Sequence, residues 1–186
     1  ISVVIAAYNE AQTIRKVVSE VREKVNEVIV VNDGSVDNTA DLAADAKAQV
    51  LNHFLNRGQG AALQTGINFA LKQNADIIIT YDADNQFKAE EIDEIVKPLL
   101  LGNVDVVFGS RFLDSRNQIP KAKKIVLKLA VIVTRLYTGL KVTDTHNGFR
   151  AFSARAAKMI QINQDGMAHA SEIIEEISKH KLSYKE

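Results

Sequence analysis

Two aspartates one residue apart end a run of apolar residues in the segment DIIITYDADNQF, residues 76–87. Asp82 and Asp84 form the pair, and Gln86 adds a neutral oxygen two residues further on. Carboxylate and amide oxygens suit Mg²⁺ or Mn²⁺, which take their remaining ligands from water and phosphate groups. A cation held here would neutralise the charge that develops on a departing diphosphate. The segment therefore predicts a metal–diphosphate site made by Asp82, Asp84 and Gln86.

A D-x-D pair is weak evidence by itself, so its position in the fold matters. The runs ISVVIAAYN and VIVVND are apolar and β-branched like the segment before Asp82, and they too end in polar residues. Continuous rather than alternating hydrophobicity predicts strands that are covered on both faces of a parallel sheet. Tyr8 and Glu10 follow the first run, and Asp33 ends the second. Ligands of open α/β sheets bind outside the carboxyl ends of the strands, so we expect these side chains to share one edge.

Helical patterns separate the predicted strands. Apolar residues recur at helical spacing in three segments: Ile14, Val17, Val18 and Val21; Leu63, Ile67, Ala70 and Leu71; and Ile92, Ile95, Val96 and Leu99. The order βαβαβαβαβ through residue 109 predicts an α/β fold with a mostly parallel central sheet. The length of 186 residues suits one catalytic domain, residues 1–186. The first residue is not Met and the end is abrupt, so we expect a fragment that lacks a C-terminal segment.

Composition narrows the classes of function. The chain is 46% hydrophobic and 25% charged, as is typical of a globular protein. Lys plus Arg and Asp plus Glu both number 23, so no excess of positive charge favours nucleic acid as a partner. The chain has no cysteine, which excludes thiolate metal sites and fits a reducing compartment such as the cytoplasm.

Two motifs stay open between a structural and a ligand-binding interpretation. Asp33 lies in NDGS, which is good turn chemistry, and its carboxylate can also accept a hydrogen bond from a nucleobase N–H. NRGQGAA, residues 56–62, places two glycines at the start of a predicted helix. They either permit a plain turn or let the backbone approach a ligand near the diphosphate.

These motifs together resemble glycosyltransferase family 2, the inverting enzymes with the GT-A (Rossmann-like) fold, and within it the dolichyl- and polyprenyl-phosphate sugar synthases. The matches run in order along nearly the whole chain: VVIAAYNE, VVNDGSVDNT, NRGQGAA, DADNQ, GSRF and TDTHNGFRAF. The chain departs from the family pattern at three positions: Ala7 stands where a proline is usual, Asn32 where an aspartate is usual, and Gln59 where a lysine is common. Leu127 and Val131 stand where a serine and an asparagine are common.

The resemblance implies a role for each matching residue. Donor-binding residues would be Ala7, Tyr8, Glu10 and Asp33 at the nucleoside, with Asp82, Ala83 and Asp84 facing the diphosphate. Asp84 and Gln86 would hold the metal, and Arg111 would lie near the transferring or acceptor phosphate. The implied partners are a nucleotide-diphospho-sugar donor, a polyprenyl or dolichyl phosphate acceptor, and the cytoplasmic face of a membrane to which the protein binds peripherally.

A lipid monophosphate is already an anion at neutral pH, so it can attack the anomeric carbon without a general base. The enzyme must then supply positioning and cations, for which Arg111, Arg150 and the basic segment 121–135, with Lys124 and Lys128, are candidates. An alcohol acceptor would instead need a base. Asp144 and Glu172 are the candidates for that role, and Asp144 can equally orient Arg111 or Arg150.

Three other functions compete with this interpretation. The acceptor can be a glycan or protein hydroxyl, the chain can be a non-catalytic nucleotide-sugar-binding module, or it can synthesise sugar nucleotides. The intact acidic residues argue against the binding module. The glycine-rich triphosphate loop expected of a nucleotidyltransferase is replaced by AAYNE after the first strand. The sequence does not choose the sugar or the nucleoside.

The segment 121–140 generates a prediction about the membrane. A helix here would carry an apolar stripe flanked by lysines, as in an interfacial helix, although an ordinary core-covering helix has the same pattern. Each basic residue near an anionic surface contributes about 1 kcal/mol. Changing Lys121, Lys124 and Lys128 to Glu should therefore weaken liposome binding and raise the KM for a lipid-phosphate acceptor. Unchanged liposome binding and turnover would leave the helix a structural role only, and nucleotide-sugar affinity serves as the control.

Overall fold

A computed structural model describes residues 1–110, 138–144 and 147–186. Arg111, Lys124 and Lys128 lie outside the described residues, as does almost all of the predicted basic helix at 121–140. Within the described ranges, no helix is both long enough and apolar enough to cross a membrane.

Seven strands and six helices occupy the described residues. The strands are β1 (Ser2–Ala7), β2 (Glu27–Asn32), β3 (Gln49–Asn52), β4 (Ile77–Asp82), β5 (Val106–Phe108), β6 (Arg150–Ser153) and β7 (Tyr184–Lys185). The helices are α1 (Ile14–Arg22), α2 (Thr39–Asp45), α3 (Gln59–Lys72), α4 (Glu91–Leu100), α5 (Ala154–Met159) and α6 (His169–Lys179). The predicted alternation of strands and helices through residue 109 is confirmed, whereas α5 and β7 were not predicted.

The strands form one sheet in the order β3-β2-β1-β4-β6-β5-β7. β4 lies in the middle of this order. Its neighbour β1 pairs in parallel with both β2 and β4, and β2 pairs in parallel with β3. β6 runs antiparallel between β4 and β5, with Thr80 opposite Arg150. The mostly parallel α/β sheet is therefore confirmed, and the antiparallel β6 brings the segment 147–150 beside the carboxyl end of β4.

The sheet is covered on both faces, as the continuous hydrophobic runs predicted. On β4, Ile79 and Tyr81 pack in the core layer beneath α1 and α4, and Ile78 packs in the layer beneath α3, α5 and α6. All four apolar residues of the predicted stripe on α1 are buried, and so are all four on α4. This double burial leaves only the strand ends free for chemistry, because both faces of the central strands are occupied.

Replacing Ile79 on β4 tests the contribution of the buried core to stability. The side chain is fully buried, so Ile79→Ala should leave a cavity and lower the free energy of unfolding by about 2–5 kcal/mol. Leu100→Ala is the matched control, since Leu100 is 68% exposed and its loss should cost less than about 0.5 kcal/mol. Urea denaturation measures both, and equal losses in the two variants would contradict the assigned core.

Candidate active site

A cleft of about 400 Å³ opens at the carboxyl ends of β1, β2 and β4. Its walls carry all seven residues that the sequence predicted to bind the donor. The lining residues are Ala6, Ala7, Tyr8, Glu10, Asp33, Asn56, Gly58, Gln59, Asp82, Ala83, Asp84 and Met167. The expectation that three polar strand ends meet at one edge of the sheet is confirmed. The ligands assigned to these residues remain predictions.

The D-x-D pair combines a partly buried and an exposed carboxylate. Asp82 is the last residue of β4, and Asp84 is exposed in the turn that follows. The backbone N–H of Gln86 donates to Asp84 Oδ1 at 3.1 Å, and Asn85 between them has a φ of 61°. This turn presents the Asp84 carboxylate to solvent at the cleft, where a cation can reach it.

The donor atoms of this turn fit a hard divalent cation. Asp82 and Asp84 supply carboxylate oxygens, and Gln86 is exposed next to them. Across the described ranges, no three acidic or histidine side chains are grouped so as to hold a metal ion. Two protein carboxylates suit Mg²⁺ or Mn²⁺, because these ions usually take further ligands from water and substrate phosphates.

An aromatic cluster holds the turn after β4 in place. The Tyr81 hydroxyl donates to the Phe87 carbonyl at 2.7 Å, and the Phe87 ring stacks on Phe149 with centroids 5.3 Å apart. Burial, assisted by the charge of Glu91, raises the pKa of Tyr81 above its ordinary value. The hydroxyl therefore stays a donor at neutral pH and fixes both ends of the segment that carries Asp82 and Asp84.

Asp82 is positioned by two groups from distant parts of the chain. Gln59 Nε2, at the start of α3, donates to Asp82 Oδ1 at 3.1 Å. Gly148 packs so closely that a Cβ atom there would collide with both carboxylate oxygens of Asp82. In the sequence, Gln59 stands out only as a departure from a common lysine. The structure shows that its neutral amide contacts the carboxylate directly.

A buried arginine lies near this carboxylate. Arg150 and Asp144 are each only 2% exposed. Burial lowers the pKa of Arg150 to about 10, while the negative charges of Asp82 and Asp144 oppose that shift. The guanidinium is therefore still a cation at neutral pH, and it interacts electrostatically with both aspartates. The orienting role of Asp144 and the acceptor-binding role of Arg150 both stay predictions.

Asp33 is almost fully buried and holds the turn that follows β3. Its Oδ1 accepts from His53 Nδ1 at 2.7 Å and from the Arg57 N–H at 3.0 Å. Its Oδ2 accepts from the Gly58 N–H at 2.7 Å. Asp33 thus holds a turn other than the predicted NDGS turn, in which Asn32 Oδ1 accepts from the Ser35 N–H at 3.2 Å. Asp33 also lines the cleft, and its contact with a nucleobase remains a prediction. Its partner His53 was not nominated from the sequence.

The two glycines of NRGQGAA approach the protein's own backbone. A Cβ at Gly58 would collide with the carbonyl of Asp165, and one at Gly60 would collide with the carbonyl of Gln164. The Asp165 carbonyl accepts from the Gly60 N–H at 2.8 Å at the start of α3. The crossing of segment 164–165 therefore explains why both positions are glycine. The approach of this turn to a ligand near the diphosphate remains a prediction.

Glu172 anchors the same crossing segment. Its Oε2 accepts from the backbone N–H groups of Asn163 and Gln164, each at 2.9 Å, and its Oε1 accepts from the Asn163 side chain at 3.3 Å. A carboxylate with both oxygens engaged by the protein is a poor general base. The structure thus favours a structural role for Glu172 over the catalytic alternative.

The turn after β1 forms the remaining wall of the cleft. Tyr8 is 47% exposed, so its ring is available to a ligand. Glu10 is half-buried and accepts from the Thr13 hydroxyl at 2.9 Å. The Asn9 N–H donates to Ser35 Oγ at 2.9 Å and ties this turn to the one after β2. The nucleoside-binding residues predicted from the sequence therefore lie on two turns that are fixed to each other.

Known proteins are similar in sequence to this chain. The family model described as glycosyl transferase family 2 matches residues 2–160. A UDP-N-acetylglucosamine–dolichyl-phosphate N-acetylglucosaminyltransferase of Methanococcus voltae is 30% identical over all of this chain and 83% of its own length. An undecaprenyl-phosphate mannosyltransferase of Micrococcus luteus is 27% identical over 86% of this chain and 69% of its own length.

Solved structures show the same fold. Glucosyl-3-phosphoglycerate synthase of Mycobacterium tuberculosis, in complex with Mn²⁺, UDP and phosphoglyceric acid, superposes with a TM-score of 0.79 at 20% identity. The match covers 99% of this chain and 66% of that enzyme. The chain belongs to glycosyltransferase family 2. It is a glycosyltransferase with the GT-A fold, as the resemblance predicted.

Gly148 allows a test of how tightly Asp82 must be placed. Gly148→Ala should push the Asp82 side chain out of its position while sparing the core, because the colliding atoms end a flexible side chain. We expect Mn²⁺-dependent affinity for a nucleoside diphosphate to fall by about 10–100-fold, the usual effect of disturbing a group that supports a metal ligand. Calorimetry measures the affinity. Gly166→Ala is the control, since no atom lies within 4 Å of a Cβ there, and equal affinity in both variants would contradict the assignment.

Proposed function

We propose that the protein is a metal-dependent inverting glycosyltransferase that moves a sugar from a nucleotide-diphospho-sugar to a polyprenyl or dolichyl phosphate. The observation that carries the proposal is the cleft in which Asp82 and Asp84 lie together with Tyr8 and Asp33. Such a cleft offers a face for the nucleoside and a hard oxygen site for the diphosphate. The names of the relatives from Methanococcus voltae and Micrococcus luteus support a lipid phosphate as acceptor.

Asp82 and Asp84 would hold the metal, with Gln86 as a neighbouring neutral ligand. Bound Mg²⁺ or Mn²⁺ would supply positive charge against the departing diphosphate. The presence of Mn²⁺ with UDP in the Mycobacterium tuberculosis neighbour supports this assignment. Gln59 and Gly148 would keep Asp82 in position, and the aromatic cluster would keep Asp84 at the mouth of the cleft.

The surroundings of the two candidate bases, Asp144 and Glu172, favour an acceptor that needs no general base. Asp144 is buried near Arg150, and Glu172 uses both oxygens to hold segment 163–164. Neither is poised to remove a proton from an alcohol in the cleft. A phosphate acceptor is already ionised, so the protein has only to position it and balance its charge. Arg111, Lys124 and Lys128 are the proposed cations for that phosphate.

We place the enzyme at the cytoplasmic face of a membrane, bound peripherally by the basic and apolar segment 121–140. A transferase that acts on the competing acceptor, a glycan or protein hydroxyl, would use the same donor cleft. The two candidate functions therefore differ only in the acceptor. An incubation assay distinguishes transfer to a phosphate from transfer to a hydroxyl. The protein is incubated with radiolabelled nucleotide sugars, Mn²⁺ and either polyprenyl phosphate or polyprenol. Transfer to the phosphate and not to the alcohol supports the proposal, whereas preferential transfer to the alcohol or to a glycan would contradict it.

Asp84 provides the sharpest single-residue test of the donor site. Asp84→Ala should remove an exposed metal ligand while leaving the fold intact, because the side chain is outside the core. Mn²⁺-dependent affinity for a nucleoside diphosphate should fall at least about 10-fold, since disturbing even the supporting residues of metal sites costs that much.

Asp93→Ala is the matched control for this variant. Asp93 is an exposed aspartate on α4 whose ion-pair partner is Lys24, and it is not among the residues that line the cleft. Calorimetry with and without Mn²⁺ should show parental binding for the control. A parental affinity in Asp84→Ala would contradict the metal assignment.

A further inference from the structure

The hydrogen bonds of Asp33 limit what else it can bind. An ionised carboxylate has about four acceptor sites, two on each oxygen. His53 Nδ1 and the Arg57 N–H occupy Oδ1, and the Gly58 N–H occupies one site on Oδ2. A single acceptor site on Oδ2 is therefore left for a ligand in the cleft. The inference that follows from this count rests on the proposed function, because it takes the ligand to be a nucleoside diphosphate.

Nucleobases differ in how many donors they present to such a carboxylate. The Watson–Crick edge of guanine carries two adjacent donors, N1–H and the N2 amino group, which match two free acceptor sites. The edge of uracil carries one donor, N3–H, between two carbonyl oxygens. A buried donor left without a partner costs about 1–3 kcal/mol, so a site with one acceptor discriminates against guanine.

His53 is the side chain that removes the second acceptor site. The other two donors to Asp33 are backbone N–H groups of the turn, which every residue except proline would supply. The side chain of His53 is 11% exposed, and its Nε2 contacts Thr65 Oγ1 at 3.0 Å, so the ring is fixed from both sides. His53 lines the shallow groove that adjoins the cleft, with Asn56 between the two.

We propose that His53 is a specificity-determining residue, which by occupying Asp33 Oδ1 restricts the donor site to bases with a single N–H, and so to a uridine rather than a guanosine diphosphate sugar. The histidine acts through Asp33 and does not touch the base. The selectivity for the base is thus set by a residue that makes no contact with the nucleotide sugar.

Inosine diphosphate tests the proposal on the unaltered protein. Inosine differs from guanosine only in lacking the N2 amino group, so both purines have the same size and the same N1–H. Calorimetry in the presence of Mn²⁺ should show that IDP binds about 10-fold more tightly than GDP, and that UDP also binds more tightly than GDP. GDP affinity equal to or greater than that of IDP would overturn the proposal.

Two variants of His53 test the residue itself. His53→Phe keeps the ring and removes the donor, so the ratio of GDP to IDP affinity should rise about 10-fold. His53→Asn keeps a side-chain N–H near the position of Nδ1 and should retain the parental ratio. A purely structural role would weaken all nucleotides together and leave that ratio unchanged in both variants.

His180→Phe is the matched control, because His180 also pairs with a carboxylate, Glu176 at 3.2 Å, and lines neither the cleft nor the groove beside it. The parental IDP-to-GDP ratio should persist in it. If none of UDP, IDP and GDP binds to the parent, the proposed function fails as well. If all three bind but GDP is preferred, only the role of His53 fails.

Discussion

The fold and the site both depend on the pairing of β4 with its two neighbours. β1 pairs with β4 in parallel and β6 pairs with it antiparallel, so every backbone group of its central residues lies between two strands. The side chains of Ile77, Ile78, Ile79 and Tyr81 are buried in the two core layers, and the polar side chain of Thr80 is buried as well. Because the strand is fixed in this way, its last residue, Asp82, has a fixed place at the edge of the sheet.

The second constraint is the crossing of two segments that are distant in the sequence. The backbone at 164–165 lies against the start of α3, and only glycine at positions 58 and 60 leaves room for it. Asp33 holds the other side of the same turn through its hydrogen bonds to Arg57 and Gly58. The nucleoside end of the cleft is consequently a set of turns that are bound to each other. This rigidity suits a site whose proposed task is to position a donor and stabilise a leaving group.

Much of this arrangement could be predicted from local sequence patterns. Continuous apolar runs predicted the buried strands, and helical spacing predicted α1, α3 and α4. The polar residues that follow the runs identified the edge of the sheet that carries the cleft. These signals are local, because each depends on residues within one element. The D-x-D pair was likewise recognisable, since Asp82 ends a buried strand and Asp84 lies two residues beyond it.

The contacts at the site that escaped prediction all join residues that are distant in the sequence. The antiparallel insertion of β6 joins Thr80 to Arg150, and Gln59 reaches Asp82 across 23 positions. His53 meets Asp33 across 20 positions, and a histidine after a short strand has no local pattern that marks it as a partner of a carboxylate. For Gly58 and Gly60 the sequence left open a plain turn or the approach of a ligand, and it could not show that the protein's own backbone at 164–165 comes close to them.

The central claim is that the edge of the sheet at Asp82 and Asp84 holds a divalent cation against the diphosphate of a nucleotide sugar. Crystals grown with Mn²⁺ and a nucleoside diphosphate, measured at the manganese absorption edge, test it directly. The account predicts an anomalous peak within coordination distance of the Asp84 carboxylate and of the diphosphate oxygens. A bound nucleotide with no manganese beside Asp82 and Asp84, or manganese bound elsewhere, would contradict it.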